Sequence, residues 1–227
     1  MQILDVPTRA RTRVLPWAPI KLCPLGDIQA GIDACDLDLL SHAVERGLRE
    51  NAYFIGMGDY LDQMSPSNRK ALAAANFYDS VLDAMQEKMA EEMAALLRIL
   101  EPTRGRWLGL LEGHHTFEFY DGTTTDTRIC AALDAPFLGH CAMLRLTFTA
   151  GKRTVNCVIW AHHGVGSGNT LAAPLTKLEK VLEWAEADLY LMGHQHKRVA
   201  AAVPRFYLVG DTPLLVARER LCVGTGS

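Results

Sequence analysis

The chain has 227 residues, of which 49% are hydrophobic and 22% are charged, and its formal net charge is −3. This length suits one α/β domain of ordinary globular composition, and the acidic balance gives no overall electrostatic basis for tight nucleic-acid binding. No apolar run reaches the roughly 18–20 residues that a membrane-spanning helix needs, so we expect no membrane association. The six cysteines are scattered without a CxxC pair, which predicts reduced thiols and a cytoplasmic location.

The N-terminal third predicts an irregular arm followed by short strands and one amphipathic helix. We expect the arm at residues 1–19, which contain three arginines and no apolar segment of a signal peptide, and a single domain at residues 20–227. Residues 20–25 and 52–55 predict buried strands, which run into Gly26-Asp27 and Gly58-Asp59. Between them, residues 36–51 carry apolar side chains at helical spacing, with Asp36 as the expected N-cap.

The middle of the chain predicts helices around a third strand. Residues 68–100 are rich in Ala, Met, Leu, Glu and Lys, which predicts one long helix or two helices broken near residue 77. The methionines at 85, 89 and 93 are better explained as core than as metal ligands. Residues 107–111 predict a strand that runs into Gly113-His114-His115, and a loop at 116–125 then precedes a short helix at 126–133.

The C-terminal part predicts a hairpin, a helix and three further strands. The hairpin strands are expected at residues 142–149 and 154–160, and the second runs into His162-His163. A helix at 175–186 precedes a strand that ends before Gly193-His194-Gln195-His196, and closing strands are expected at 205–209 and 214–223. Strands alternating with helices in this way predict an α/β fold.

Acidic or histidine residues follow five of these predicted strands. They are Asp27, Asp59, His114 with His115, His162 with His163, and His194 with His196. In α/β folds, reactive groups gather outside the strand ends, so five such clusters favour a shared metal site, although any one alone is better explained as structural. Carboxylates and imidazoles without cysteine favour Mn, Fe, Zn or similar ions over Ca or Mg. The number of candidate ligands favours two ions.

The order of these blocks resembles the calcineurin-like metallophosphoesterases, whose pattern is DxH, GDxxD, GNH, H and GHxH. The blocks here are Gly26-Asp27-x-Gln29, Gly58-Asp59-x-x-Asp62, Gly113-His114-His115, His162-His163-Gly164 and Gly193-His194-x-His196. The resemblance covers about residues 20–210, and the runs at 30–38, 56–59 and 161–196 further resemble a branch common in bacteriophage and prophage genomes. It implies a four-layer α/β/β/α sandwich of two mixed β-sheets flanked by helices, with the metal site at the strand ends.

The resemblance also implies a role for each matching residue. Asp27, Asp59 and His196 would bind a first ion, and Asp59 would bridge to a second ion completed by His162 and His194. Asp62 would orient a neighbour, and His115 would contact the phosphate and protonate the leaving oxygen. His163 is an alternative ligand to His162 or a substrate contact; the family usually places its ligand first after the strand, which favours His162.

Two residues depart from the family pattern. Gln29 stands where the family has a first-site histidine, and its amide oxygen is a harder and weaker ligand than imidazole. His114 stands where the family has a second-site asparagine, and its imidazole could still bind the metal. These changes affect the expected metal more than the reaction: Mn is favoured at the first site, whereas His114 shifts the second towards Zn, Fe or Ni.

The implied function is hydrolysis of phosphodiester or phosphomonoester bonds, by in-line attack of a hydroxide that bridges two divalent transition-metal ions. The expected substrate is a phosphate ester, including a nucleotide or nucleic acid. One alternative is a metal-dependent DNA nuclease, and another is a non-catalytic metal-binding interaction scaffold, which Gln29 and His114 motivate. Relatives are expected to continue beyond the terminal Gly224-Thr225-Gly226-Ser227, and the sequence does not predict an oligomeric state.

Overall fold

A computed structural model describes residues 6–62, 75, 77–166, 168, 170–212 and 214–226. The described chain has an α/β fold with two sheets and four α-helices, which confirms the predicted class. None of the described helices has the length and apolar character needed to cross a membrane. The chain divides into two compact units, Pro19–Gly139 and Met1–Ala18 together with His140–Ser227. We call them the three-stranded unit and the six-stranded unit after their sheets.

The elements follow one another in the predicted order. The strands are β1 (Arg9–Pro16), β2 (Leu22–Leu25), β3 (Tyr53–Gly56), β4 (Trp107–Leu110), β5 (Cys141–Ala150), β6 (Arg153–His162), β7 (Leu189–Met192), β8 (Arg198–Val209) and β9 (Leu214–Thr225). The helices are α1 (Leu37–Arg49), α2 (Asp79–Leu100), α3 (Thr125–Ala132) and α4 (Ala173–Val181), with a 3-10 turn at Glu101–Thr103. Most of the segment predicted as helix before residue 77 lies outside the described residues.

The three-stranded unit is a parallel sheet in the order β2-β3-β4. The Asp36 side chain accepts a hydrogen bond from the Leu39 amide at 2.8 Å, which confirms the predicted N-cap of α1. Met89 and Met93 pack in the hydrophobic core, as the sequence predicted for them. Because all three strands run in the same direction, their carboxyl ends lie at one edge of the sheet.

The six-stranded unit is a mixed sheet in the order β1-β5-β6-β7-β9-β8. Trp160 and Tyr190 are fully buried in its core, which α4 helps to cover. The Tyr190 hydroxyl donates a hydrogen bond to the Ala185 carbonyl at 2.7 Å and accepts one from the Ala187 amide, so its polar end is satisfied inside the core. Strands β6 and β7 run parallel, and His162 at the end of β6 is paired with Met192 at the end of β7. His163 and His194 therefore follow the two strands at the same edge of the sheet.

Two segments differ from their sequence predictions. Residues 1–19 are not wholly an irregular arm, because Arg9–Pro16 forms β1 and pairs in parallel with β5 along its whole length. Strand β8 begins at Arg198, well before the predicted residue 205, because its alanine-rich start pairs with the end of β9. In both segments strand pairing outweighs a local sequence with few large apolar residues.

We expect Gly47→Ala to destabilise the protein by about 1–3 kcal/mol, even though alanine alone favours a helix by about 1 kcal/mol. A Cβ at this buried position of α1 would lie 2.7 Å from Cζ of Phe54. That ring is fully buried and packs against Trp107, with ring centroids 5.3 Å apart, so it cannot easily move. Urea denaturation measures the change, and Phe54→Leu should reduce it in a double-mutant cycle. A more stable Gly47→Ala protein would contradict the prediction.

Candidate metal centre

The backbone is left-handed at five of the residues predicted from sequence to bind metal. Their φ angles are 50° at Asp27, 52° at Gln29, 53° at Asp59, 64° at His194 and 50° at His196. Among the other described non-glycine residues, only Asn51 and Asp134 share this conformation. Left-handed backbone costs a residue with a Cβ about 1–3 kcal/mol and concentrates at functional sites. The structure therefore marks residues of both units that the sequence had selected, four by their chemistry and Gln29 by the family resemblance.

In the three-stranded unit, backbone amides hold the Asp59 carboxylate. Its side chain is 1% exposed, and its Oδ1 atom accepts hydrogen bonds from the amides of His114 at 2.5 Å and His115 at 2.9 Å. A Cβ on Gly113 would lie 2.1 Å from this same oxygen, so only glycine permits the approach. Candidate ligand atoms of Asp59 and His114 lie within 4.8 Å of each other. These contacts bring two candidate metal ligands together in the three-stranded unit.

Asp27 and Gln29 are joined to the same loop by their backbones. The Asp27 amide donates to the Gly58 carbonyl at 2.8 Å, and the Gln29 amide donates to the Asp59 carbonyl at 3.0 Å. The Asp27 side chain is buried, whereas that of Gln29 is half-buried. The turns after β2 and β3 are therefore fixed to each other.

The predicted catalytic pair, His115 and Asp62, is brought together in this unit. Nδ1 of His115 lies 2.8 Å from Oδ1 of Asp62, and its Nε2 lies 3.8 Å from Oδ2 of Asp59. The Asp62 carboxylate is thus an ionic contact of Nδ1 without hydrogen-bond geometry. Nε2 lies on the side of Asp59, where the candidate ligands of this unit gather.

Asp126, which the sequence did not single out, supports the loop that carries His114 and His115. It is buried in the first turn of α3, accepts a hydrogen bond from the Gly113 amide at 3.3 Å, and accepts another from the Thr125 hydroxyl at 3.1 Å. Burial raises the pKa of Asp126, and the nearby charge of Asp59 raises it further. In sequence, Asp126 looks like an ordinary acidic residue at a helix N-terminus, so no signal distinguished it.

In the six-stranded unit, His162 and His163 make different contacts. Nδ1 of His162 accepts a hydrogen bond from the Gly164 amide at 2.7 Å, and the ring stacks on Trp160 with centroids 5.5 Å apart. A neutral imidazole that accepts at Nδ1 carries its proton on Nε2, which then cannot bind a metal. His163 is 1% exposed, its ring contacts that of His194, and the candidate ligand atoms of the two lie within 4.8 Å.

The loop after these histidines is held close to the turn of His194. A Cβ on Gly164, whose φ is 115°, would lie 2.8 Å from the Gly193 carbonyl oxygen and from Cβ of His194. Two lysines that the sequence did not single out donate to carbonyls of this loop, Lys177 to Val165 and Lys197 to Gly168. His196 itself is exposed. His163 and His194 thus bring two candidate metal ligands together in the six-stranded unit, with His196 on the same turn.

Comparisons with protein-family models, with curated proteins and with solved structures gave no match.

We expect Asp126→Asn to change the pH dependence of stability. The folded state raises the pKa of Asp126 above the unfolded value of about 3.9, so ionisation destabilises the fold as pH rises through the folded pKa. Asparagine removes this loss, so relative to wild type the variant should be more stable at pH 7 than at pH 4. Urea denaturation at the two pH values tests this.

Asp121→Asn is the matched control with the opposite sign. Hydrogen bonds from Thr123 lower the pKa of Asp121, so its stabilising contribution is present above the unfolded pKa and is lost as pH falls. This variant should therefore lose relative stability at pH 7 compared with pH 4. Equal relative stabilities of Asp126→Asn at both pH values would contradict the assignment.

We expect His163→Asn, but not His162→Asn, to weaken metal binding by at least about tenfold. Asparagine at 162 can still accept the hydrogen bond from Gly164, whereas asparagine at 163 replaces the imidazole that lies beside His194. Titration with Mn²⁺ or Zn²⁺, followed by metal analysis, measures the difference. The reverse pattern would restore His162 as the ligand.

Proposed function

We propose that the protein is a dinuclear-metal phosphoesterase of the calcineurin-like type, on the phage and prophage branch that its sequence resembles. The observation that carries the proposal is the left-handed backbone at Asp27, Gln29, Asp59, His194 and His196. These residues fall in three of the five motif blocks, yet the conformation is costly and rare elsewhere in the described chain. A shared chemical task explains why the fold bears this cost at those positions.

Neither unit is sufficient for a catalytic metal pair by itself. The six-stranded unit would supply the imidazoles of His163, His194 and His196, and the three-stranded unit would supply Asp27, Gln29, Asp59 and His114. Two ions with about three or four protein ligands each need residues from both sets. We therefore propose the four-layer α/β/β/α arrangement, in which the strand ends of the two sheets would contribute to one centre within a single domain.

The residues present fit divalent transition metals. Asp27 and Asp59 are buried, and buried carboxylates are favoured by a neighbouring cation. The donor set contains carboxylates, imidazoles and one amide but no thiolate, which suits Mn most closely and also Fe, Zn or Ni. Asp27, Gln29, Asp59 and His196 would hold the first ion. Asp59, His114, His163 and His194 would hold the second, with His163 in place of the His162 that the family pattern favours.

When bound, two such ions activate water at neutral pH and offset the negative charge of a phosphate ester. The chain's own contribution to the reaction centres on His115. Asp62 lies beside Nδ1 of this ring, so Nε2 is the nitrogen that would carry a proton and donate it to the leaving oxygen as the ester bond breaks. Asp59 lies on the Nε2 side, 3.8 Å from that nitrogen. The Asp126 contact with Gly113 keeps this loop in place.

The substrate class that we propose is a phosphodiester or phosphomonoester, including that of a nucleotide. The test is turnover of bis-p-nitrophenyl phosphate and p-nitrophenyl phosphate with Mn, Ni, Zn and Mg, alongside single- and double-stranded DNA with Mn. Ester turnover without DNA cleavage would exclude the nuclease alternative. Full metal binding with no turnover of any substrate would instead support a non-catalytic scaffold.

We expect His115→Ala to lower the turnover of bis-p-nitrophenyl phosphate by about 10²–10⁴-fold, because the leaving oxygen loses its proton donor. Asp62→Asn should lower it by about tenfold or more, because the ring loses the carboxylate that orients it. His42→Ala, which changes an exposed histidine of α1, is the control and should be unaffected. Metal content is measured for every variant. Unchanged turnover in His115→Ala with full metal content would remove His115 from the mechanism.

A further inference from the structure

Beyond the proposed catalysis, the β8–β9 hairpin carries an apolar stripe on one face, interrupted by Glu219. Residues directly opposite each other in an antiparallel pair lie on the same face, and every second pair belongs to that face. One face therefore contains the pairs Ala202–Leu221, Pro204–Glu219, Phe206–Ala217 and Leu208–Leu215. Glu219 is the one charged residue among these eight. We call the other six, without Pro204 and Glu219, the hairpin stripe.

The large side chains of the hairpin stripe are exposed in the structure. The exposed fractions are 63% for Phe206, 71% for Leu208, 65% for Leu215 and 43% for Leu221. Single exposed apolar residues are normal, but a contiguous row of this kind marks an interaction surface. Strand β8 is also an edge of its sheet, so the hairpin has no further strand beside it among the described residues.

The opposite face of the hairpin is attached to its own unit. Val203 packs against the core, the Tyr207 hydroxyl donates to the Glu186 carboxylate at 3.0 Å, and Arg205 and Arg218 form ion pairs with Glu186 and Asp188. These contacts fix the rotation of the hairpin about its long axis. The hairpin stripe is therefore held on the side away from them and is not available to cover its own core.

We propose that the hairpin stripe is a dimer interface, which a second copy of this chain covers face to face about a two-fold axis. Shape supports a second copy. Phe206 lies opposite Ala217, so the same pair presents a large side chain beside a small one. A two-fold axis places the Phe206 ring of each copy over the Ala217 of the other, as an interface that uses the same patch twice requires.

Area and backbone chemistry support the same arrangement. The four large side chains expose about 400 Å² of apolar surface per copy, so a dimer would bury about 800 Å² from them alone. With the flanking backbone this lies near the lower limit of about 1,000 Å² for a specific interface, so the dimer would be weak and concentration-dependent. Pro204 removes one backbone donor from β8, which disfavours edge-to-edge strand pairing and leaves packing of the faces.

Neighbouring leucines provide a matched test. Leu215 belongs to the hairpin stripe and is 65% exposed, whereas Leu214 is 64% exposed and lies on the other face. Sedimentation equilibrium from 1 to 200 µM should show a monomer–dimer equilibrium for wild type. Leu215→Asp should raise the dissociation constant at least tenfold, and Leu214→Asp should leave it within about twofold. Ala217→Arg, which fills the hollow opposite Phe206, should act like Leu215→Asp.

The remaining outcomes overturn the proposal. A wild-type protein that is monomeric up to 200 µM contradicts it, and so does an equal effect of the two leucine substitutions. Flotation with neutral phosphatidylcholine vesicles that Leu215→Asp abolishes, in a protein that stays monomeric, would assign the stripe to a lipid surface instead. Circular dichroism and the turnover of bis-p-nitrophenyl phosphate confirm folding of each variant, so loss of association is distinguished from loss of structure.

Discussion

The turns that follow the strand ends force aspartate, glutamine and histidine side chains onto left-handed backbone, and the candidate site depends on this constraint. Each such residue costs folding free energy. Local hydrogen bonds offset part of that cost, because Asp27 donates to Gly58, Gln29 donates to Asp59 and Gln195 donates to Gly193. Neighbouring glycines give the room that the turns need, most clearly at Gly113 and Gly164. In this way, the strands build the apolar core, and the turns that follow them hold polar side chains in fixed directions.

Much of the fold was predictable because short-range physical rules decide it. Helical spacing located α1 and Asp36 capped it, and apolar runs located β3, β4 and β7. Long-range pairing decided the rest. Strand β1 carries arginine at positions 9, 11 and 13 and looks unstructured alone, yet β5 pairs with it along its whole length. The early part of β8 is alanine-rich and becomes a strand only because β9 lies beside it. The local sequence of a strand does not show which distant strand will pair with it.

The candidate site was predictable as a set of chemical types and not as a set of contacts. The motif blocks identified Asp59, His115 and Asp62, which the structure brings together. The distinction between His162 and His163 depends on which ring nitrogen receives the Gly164 amide, and that follows from the turn geometry after β6. The contact of Asp126 with Gly113 could not be predicted from sequence for a similar reason. Its importance comes from burial beside Gly113, whereas its position in sequence is that of any acidic residue starting a helix.

If the proposed function is right, the two departures from the family pattern together exchange one amide and one imidazole between the two ion sites. Gln29 places an amide where the family has an imidazole, and His114 places an imidazole where the family has an amide. The total donor set is therefore nearly conserved, but nitrogen moves from the first ion to the second. The first ion becomes richer in oxygen ligands, which Mn accepts readily, and the second becomes richer in imidazole, which suits Zn or Fe. With this exchange, the two proposed ions would differ more in their ligands, and both would keep their place in the centre.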